Sequence, residues 1–216
     1  REDPILLTYS STTLGSEKQR MTVKTTNNTY QLPFNGQWLV FWGGNSKEDN
    51  QHHDVPEQRY AYDFVKIDDA GNYHQDSGKK LEDYYSYGEN IYSPADGEII
   101  TIVDGIEDSL TPNTYFVPGN LVVIKHRGKE YSYIAHLLKN SVVVKEQQKI
   151  KQGQLLAKCG GSGNSTMPHI HFHVTDSPHF QDGKSLPINF ENILVNRKFF
   201  KKHSPKKSDI VNNSAK

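Results

Sequence analysis

The chain has 216 residues, 34% of them hydrophobic, with 25 basic and 25 acidic side chains in balance. That length suits one sizeable domain. No apolar run is long enough to span a bilayer as a helix, no signal peptide is visible, and an acidic body without a nucleic-acid module excludes nucleic acid as a partner. Cys159 is the only cysteine, so no internal disulfide forms. The start at Arg1 rather than methionine leads us to expect a cleaved export signal. Charge is uneven: Arg197, Lys198, Lys201, Lys202, Lys206, Lys207 and Lys216 face one acid, Asp209, in the last stretch. The plain reading is a solvated, partly disordered basic tail. The functional alternative is attachment to an anionic wall or membrane surface.

In chain order, residues 1–35 read as an irregular N-terminal segment. Gln37 to Phe41 is a short apolar strand, followed by Gly43-Gly44. Gln51-His52-His53-Asp54 precede the segment Gln58 to Val65, and 66–90 read as a charged surface excursion. Ala95-Asp96-Gly97 is a turn leading into a strand, Glu98 to Val103. Residues 104–120 form a loop. Leu121 to His126 and Glu130 to His136 make a hairpin about Arg127-Gly128-Lys129. Val142 to Val144 is a strand, Lys149 to Lys158 contains a glycine turn, Gly160 to Pro168 is a Gly/Ser/Asn loop, and Ile170 to Val174 is the last core strand. Leu81 to Tyr87 and Phe190 to Phe200 read as short helices. Tyrosine outnumbers phenylalanine, 12 to 9, and short strands between turn signals predict a mainly β, antiparallel domain. We place it at 36–176, with 177–216 as a C-terminal extension carrying the basic tail.

His169, His171 and His173 alternate along that last strand. Residues i, i+2 and i+4 share one face, so three imidazoles point one way while Ile170 and Phe172 point into the core. Such a pattern alone equally suits the polar face of an edge strand. A catalytic zinc takes three protein ligands and leaves a fourth position open. His171 therefore needs partners, and residues 50–64 offer His52 or His53, together with Asp63. A carboxylate inside the aromatic run Ala61 to Val65 is costly to bury unless it is paired or metal-bound. His136, at the end of its strand, reads alone as an ordinary strand-end histidine.

The ordered set Asn50-Gln51-His52, Gln58 to Phe64 (QRYAYDF), Ala135-His136-Leu137 and Gly161 to His171 (GSGNSTMPHIH) resembles the lysostaphin-like (LytM-type) zinc metalloendopeptidases, in a branch with a QRYAYDF-type segment. The turn Ser93 to Gly97 and the loop Gly160 to Ser165 fit the same pattern. The resemblance implies a small antiparallel β-sheet domain with a narrow metal-binding groove, the duplicated hybrid motif. It implies one Zn2+ held by His52, Asp63 and His171, with His136 and His169 as the proton-handling and charge-stabilising pair. It prefers His52 to His53 through the N-x-H pattern. Tyr133, Asn164 and His173 are expected to support these groups; His173 stands where many members carry glutamate. The implied function is hydrolysis of cross-bridge or stem peptides of peptidoglycan, outside the cytoplasm, whether secreted, periplasmic or wall-associated. The competing readings are a catalytically silent relative that binds peptidoglycan or regulates another hydrolase, and a phosphoryl carrier, which would have no use for Asp63.

Overall fold

The computed structural model describes residues 25–214. Its elements are β1 (Trp38–Trp42), β2 (Tyr62–Lys66), one 3-10 turn (Leu81–Asp83), β3 (Asn90–Tyr92), β4 (Gly97–Val103), β5 (Asn120–Lys125), β6 (Tyr131–Leu137), β7 (Lys149–Ile150), β8 (Leu155–Lys158), β9 (Ile170–Thr175), β10 (Phe190–Val195), β11 (Lys198–His203) and β12 (Ile210–Asn213). Ten of these strands form one sheet in the order β11-β10-β12-β1-β2-β9-β6-β5-β4-β7, and β3 pairs with β8 separately. Every strand pairing is antiparallel. No helix among the described residues is long and apolar enough to cross a membrane.

The central strands β5, β6 and β9 are covered on both faces, so they are buried along nearly their whole length. One face carries Val122, Ile124, Ile134, Leu137, Ile170, Phe172 and Val174 into the main core. Burying each such side chain stabilises the fold by about 1.5–3 kcal/mol. On the opposite face Leu121, Val123, Tyr131, Tyr133 and Ala135 make a second cluster. The β3–β8 pair closes the main core with Ile91, Leu156 and Ala157. The segment around Tyr30, Leu32 and Phe34 has irregular backbone but wholly buried side chains. It is clasped by Glu130, whose carboxylate accepts from Asn27, Asn28 and the Tyr30 hydroxyl. The remainder of the 1–35 segment, residues 1–24, lies outside the described residues.

Four expectations are corrected. Phe190 to Phe200 is not a helix but the β10–β11 hairpin. Asn196 (φ 50) and Arg197 (φ 67) supply the two positive φ angles of its tight turn. Asn192, at φ 52, shifts the phase of β10, so Phe190 and Ile193 face inward three residues apart and imitate a helical stripe. Leu81 to Tyr87 shrinks to one turn, capped where Asp83 Oδ2 accepts from Lys79 N (3.0 Å). Val142 to Val144 joins no ladder; Val142 and Val144 pack on the core while Val143 is exposed. The basic stretch is also not a free tail. Its β11 and β12 are sheet strands, and β12 pairs with β1 through Trp38↔Val211, which joins the 177–216 extension to the sheet of 36–176.

Candidate metal centre

Register builds the site. On β2 and β9, Asp63 stands opposite His171; on β6 and β9, Ala135 stands opposite His171 and Tyr133 opposite His173. The two-residue side-chain period that sends Ile170, Phe172 and Val174 into the core turns His171 and His173 onto the other face, toward Asp63. Asp63 Oδ1 lies 2.9 Å from His171 Nδ1. Its Oδ2 lies 2.9 Å from His52 Nε2 and accepts from Gln51 Nε2 at 3.0 Å.

His52 comes from a loop, and Asn50 sets that loop. Asn50 is buried; its Nδ2 donates to the carbonyls of Gly44 (3.1 Å), Arg59 (3.2 Å) and Ala61 (3.0 Å), and its Oδ1 accepts from His52 N (3.0 Å). The side chain staples both ends of the 44–61 excursion and aims the residue two positions on. His53 turns away, with its ring against Arg59 and Asp54.

His136 reaches the groove through a bulge. Between Asn120↔Leu137 and Val122↔Ile134, two residues of β6 oppose one of β5, and His136 has φ 60. Regular alternation would send His136 to the core side with Ile134; the extra residue re-aims it. His136 Nδ1 donates to the Ser162 carbonyl (2.8 Å) and His169 Nδ1 to the Met167 carbonyl (2.9 Å), with Ser165 Oγ 3.2 Å away. A carbonyl only accepts, so Nδ1 carries a proton in each ring, and in the neutral form of either ring Nε2 holds the lone pair. The two rings lie 4.5 Å apart, and His169 Nε2 is 3.9 Å from Asp63 Oδ1.

The electrostatics follow from burial and from Asp63. Burial alone would raise the Asp63 pKa, but His52, His171 and His169 outweigh it and hold the carboxyl well below the usual range. Burial pushes His136 well below an ordinary imidazole, helped by His169 and His171. Burial likewise lowers His171, against the pull of Asp63, and His173, helped by His171. Burial thus disfavours the charged form of His136, His171 and His173 beside a carboxyl held toward its ionised form.

That donor set suits a divalent metal. His52, Asp63 and His171 each offer a ligand atom, all within 4.8 Å of one another. Two histidines and a carboxylate match the composition of catalytic zinc sites that keep a position open. Two imidazole nitrogens aimed at one carboxylate need either two protons or a shared cation between them.

Sequence reading named the five central residues, which the structure gathers in one groove of about 420 Å³. The three residues expected to support them are placed differently from one another. Tyr133 does not hold His136 or His169: its hydroxyl donates to the Ser177 carbonyl and its ring stacks on His173. Asn164 sits exposed on the groove lip. The backbone carbonyls of Ser162 and Met167, with Ser165, do that work. Main-chain groups leave no residue-type signal, so only the Gly/Ser composition of the loop hinted at it. Gln51, between Asn50 and His52, donates to Asp63, a contact that its residue type alone does not signal. His173 does contact His171, at 2.9 Å. One groove wall joins loops 104–119 and 160–167 through Ser109 N to Gly161 O, Asn113 N to Gly163 O and Asn164 N to Val117 O. Trp42 and Phe41 line the other side.

Residues 79–185 match the family model described as peptidase family M23. That span holds His136, His169 and His171; His52 and Asp63 lie upstream, and Asp63 enters the site through the β2–β9 ladder while His52 enters from the loop held by Asn50. The peptidoglycan DD-endopeptidase ShyB of Vibrio cholerae is 33% identical over 87 residues, 40% of this chain and 18% of ShyB. The murein hydrolase activator NlpD of Escherichia coli is 32% identical over 89 residues, 41% of this chain and 20% of NlpD. The chain spans less than a quarter of the length of the curated relatives it matches first. Among solved structures, a zinc-containing peptidase from Vibrio cholerae aligns at TM-score 0.45 and 24% identity, over 68% of this chain and 36% of that one.

Proposed function

We propose that this chain, whose residues 79–185 match peptidase family M23, is a zinc-dependent endopeptidase that hydrolyses peptide bonds of peptidoglycan outside the cytoplasm. One observation carries the reading. The donors of His52, Asp63 and His171 converge within 4.8 Å, and His136 and His169 line the same groove with Nδ1 tied to backbone carbonyls. The catalytic unit on this reading begins near residue 36, since two of its ligands precede the matched segment.

Held by His52, Asp63 and His171, a zinc ion supplies Lewis acidity toward a carbonyl oxygen and lowers the pKa of water to about 7. The chain's own groups supply the rest. A neutral imidazole with a free Nε2 takes the proton of the attacking water and returns it to solvent after the bond breaks; the other, protonated at Nε2 from solvent through the open groove, donates to the developing oxyanion and then gives that proton to the leaving amine. Ser162, Met167 and Ser165 hold both rings so that no reorientation is needed. The groove between loop 160–167 and Trp42 takes an extended, slender peptide.

The second reading, a silent peptidoglycan-binding or hydrolase-regulating homologue, is favoured by the similarity to a murein hydrolase activator. The presence of both imidazoles and all three donors supports the enzyme. The basic ridge on β11, where Lys198, Lys201, Lys202 and Phe199 are exposed, is our candidate contact with an anionic wall or membrane surface. The test is release of new amino groups from isolated peptidoglycan, with and without a zinc chelator. Chelator-sensitive release is expected; no release from zinc-loaded protein would favour the silent homologue.

A further inference from the structure

His173 is the buried imidazole of the site to which the mechanism gives no task. Its Nδ1 is 2.9 Å from His171 Nε2. Its ring lies flat on Tyr133, 4.7 Å apart with a 5° interplanar angle, and edge-on to Phe180 at 5.8 Å. Its Nε2 is the buried side-chain nitrogen without a hydrogen-bond partner among the described residues. An orphaned polar atom in an apolar slot needs an explanation.

The contact between the two rings holds one proton. When His171 donates Nδ1–H to Asp63, its Nε2 accepts, so His173 donates Nδ1–H and its own Nε2 is a bare lone pair. When His171 turns its Nδ1 lone pair to a metal, its proton sits on Nε2. His173 must then accept at Nδ1 and carry its proton on Nε2, where Tyr133 and Phe180 offer no acceptor. Between the two states one proton leaves His171 Nδ1, one crosses from His173 Nδ1 to His171 Nε2, and one arrives at His173 Nε2; each ring stays neutral. Partners of this kind fix the tautomer and orientation of a metal-bound histidine.

We propose that His173 is a positioning residue that sets which nitrogen His171 presents to Asp63 and His52, and so controls metal retention at that site. The inference deepens the metal-centre reading and rests on it. A partner able to switch between donor and acceptor lets the site exist in both the loaded and the metal-free arrangement, where a carboxylate would favour only the loaded one.

Two variants separate hydrogen bonding from packing. His173→Phe keeps an aromatic ring against Tyr133 and Phe180 but cannot bond His171; His173→Gln keeps a bonding group and loses the ring. Zinc affinity, read by competition with a chromogenic chelator, should fall about 10–100-fold in His173→Phe and less in His173→Gln. Thermal unfolding of the metal-free Phe variant should match the parent, showing that the fold is intact. A Phe variant binding zinc within about threefold of the parent would overturn the proposal, since such partners normally contribute more. Ring 15N spectra of the metal-free parent provide a readout that needs no zinc: both His171 and His173 should be protonated at Nδ1. His173 protonated at Nε2 in that state would overturn the relay. A parent that binds no zinc would instead refute the metal centre, while the metal-free spectra would still decide the role of His173.

Discussion

Replacing Asn50 with alanine should damage both the fold and the metal centre, by amounts that the structure allows us to work out. The side chain makes four hydrogen bonds, three to carbonyls and one from His52 N. Each contributes about 0.5–1.5 kcal/mol net, and more if the abandoned group stays dry. The loop edges a solvent-filled groove, so water can reach some of the freed groups, and we expect a loss of about 2–4 kcal/mol. For a chain of this size that lowers Tm by about 4–16 °C. Freed of its backbone tether, His52 should also lose orientation, weakening zinc binding about 10–100-fold. Urea unfolding of the metal-free protein measures the first effect and chelator competition the second. Asn50→Asp is the sharper control. It preserves shape and the acceptor for His52 N but turns a carboxylate onto three carbonyls, so at neutral pH it should be at least as destabilising as alanine. A cost below about 1 kcal/mol for Asn50→Ala, with zinc affinity intact, would refute the claim that this side chain sets the loop.

Four further outcomes follow from the same geometry. His171→Ala should lose both zinc and peptidoglycan hydrolysis, whereas His169→Ala should keep zinc by metal analysis and lose about 10²–10⁴ in rate; full turnover in His169→Ala would remove it from the chemistry. Away from the groove, burial depresses the pKa of His126, whose ring is held by the Asp96 carbonyl and Ser132 (both 2.8 Å). The unfolded chain binds this proton below about 6.5 and the folded chain does not. Its contribution is therefore complete above that pH and is lost as pH falls through and below it; urea midpoints of the metal-free protein should drop from about pH 8 to about pH 5, less steeply in His126→Gln. Gly119→Ala forces a Cβ, at φ +62, against the Ser162 backbone that holds His136, so hydrolysis should fall sharply and stability by about 1–3 kcal/mol. Glutamate at Lys198, Lys201 and Lys202 should abolish salt-sensitive binding to anionic vesicles without changing hydrolysis of a soluble peptide; unchanged vesicle binding would reject the basic ridge.

Much of this protein is legible from its residues alone, because side-chain alternation is a local property. The β-branched run Leu121 to Lys125 and the alternating tyrosines before His136 announce strands, and His169-Ile170-His171-Phe172-His173 announces two faces. A lone aspartate in an aromatic run signals an unusual partner. The β10–β11 hairpin was less legible, since the single left-handed residue Asn192 converts a strand's spacing into an imitation of a helix. Nothing local reveals that the basic end of the chain completes the sheet, because β12 finds β1 across a separation of more than 150 residues.

Tertiary structure put His52 rather than His53 beside Asp63, through a buried asparagine whose four bonds span distant parts of the loop. It alone brought His136 to the groove side, through a bulge visible only once β5 and β6 are paired. It alone showed that backbone carbonyls of the 160–167 loop fix the imidazoles of His136 and His169. Chain composition sets which groups can ligate, donate or accept; which nitrogen faces which oxygen depends on register and strand phase, and those are settled by pairing between segments far apart in sequence.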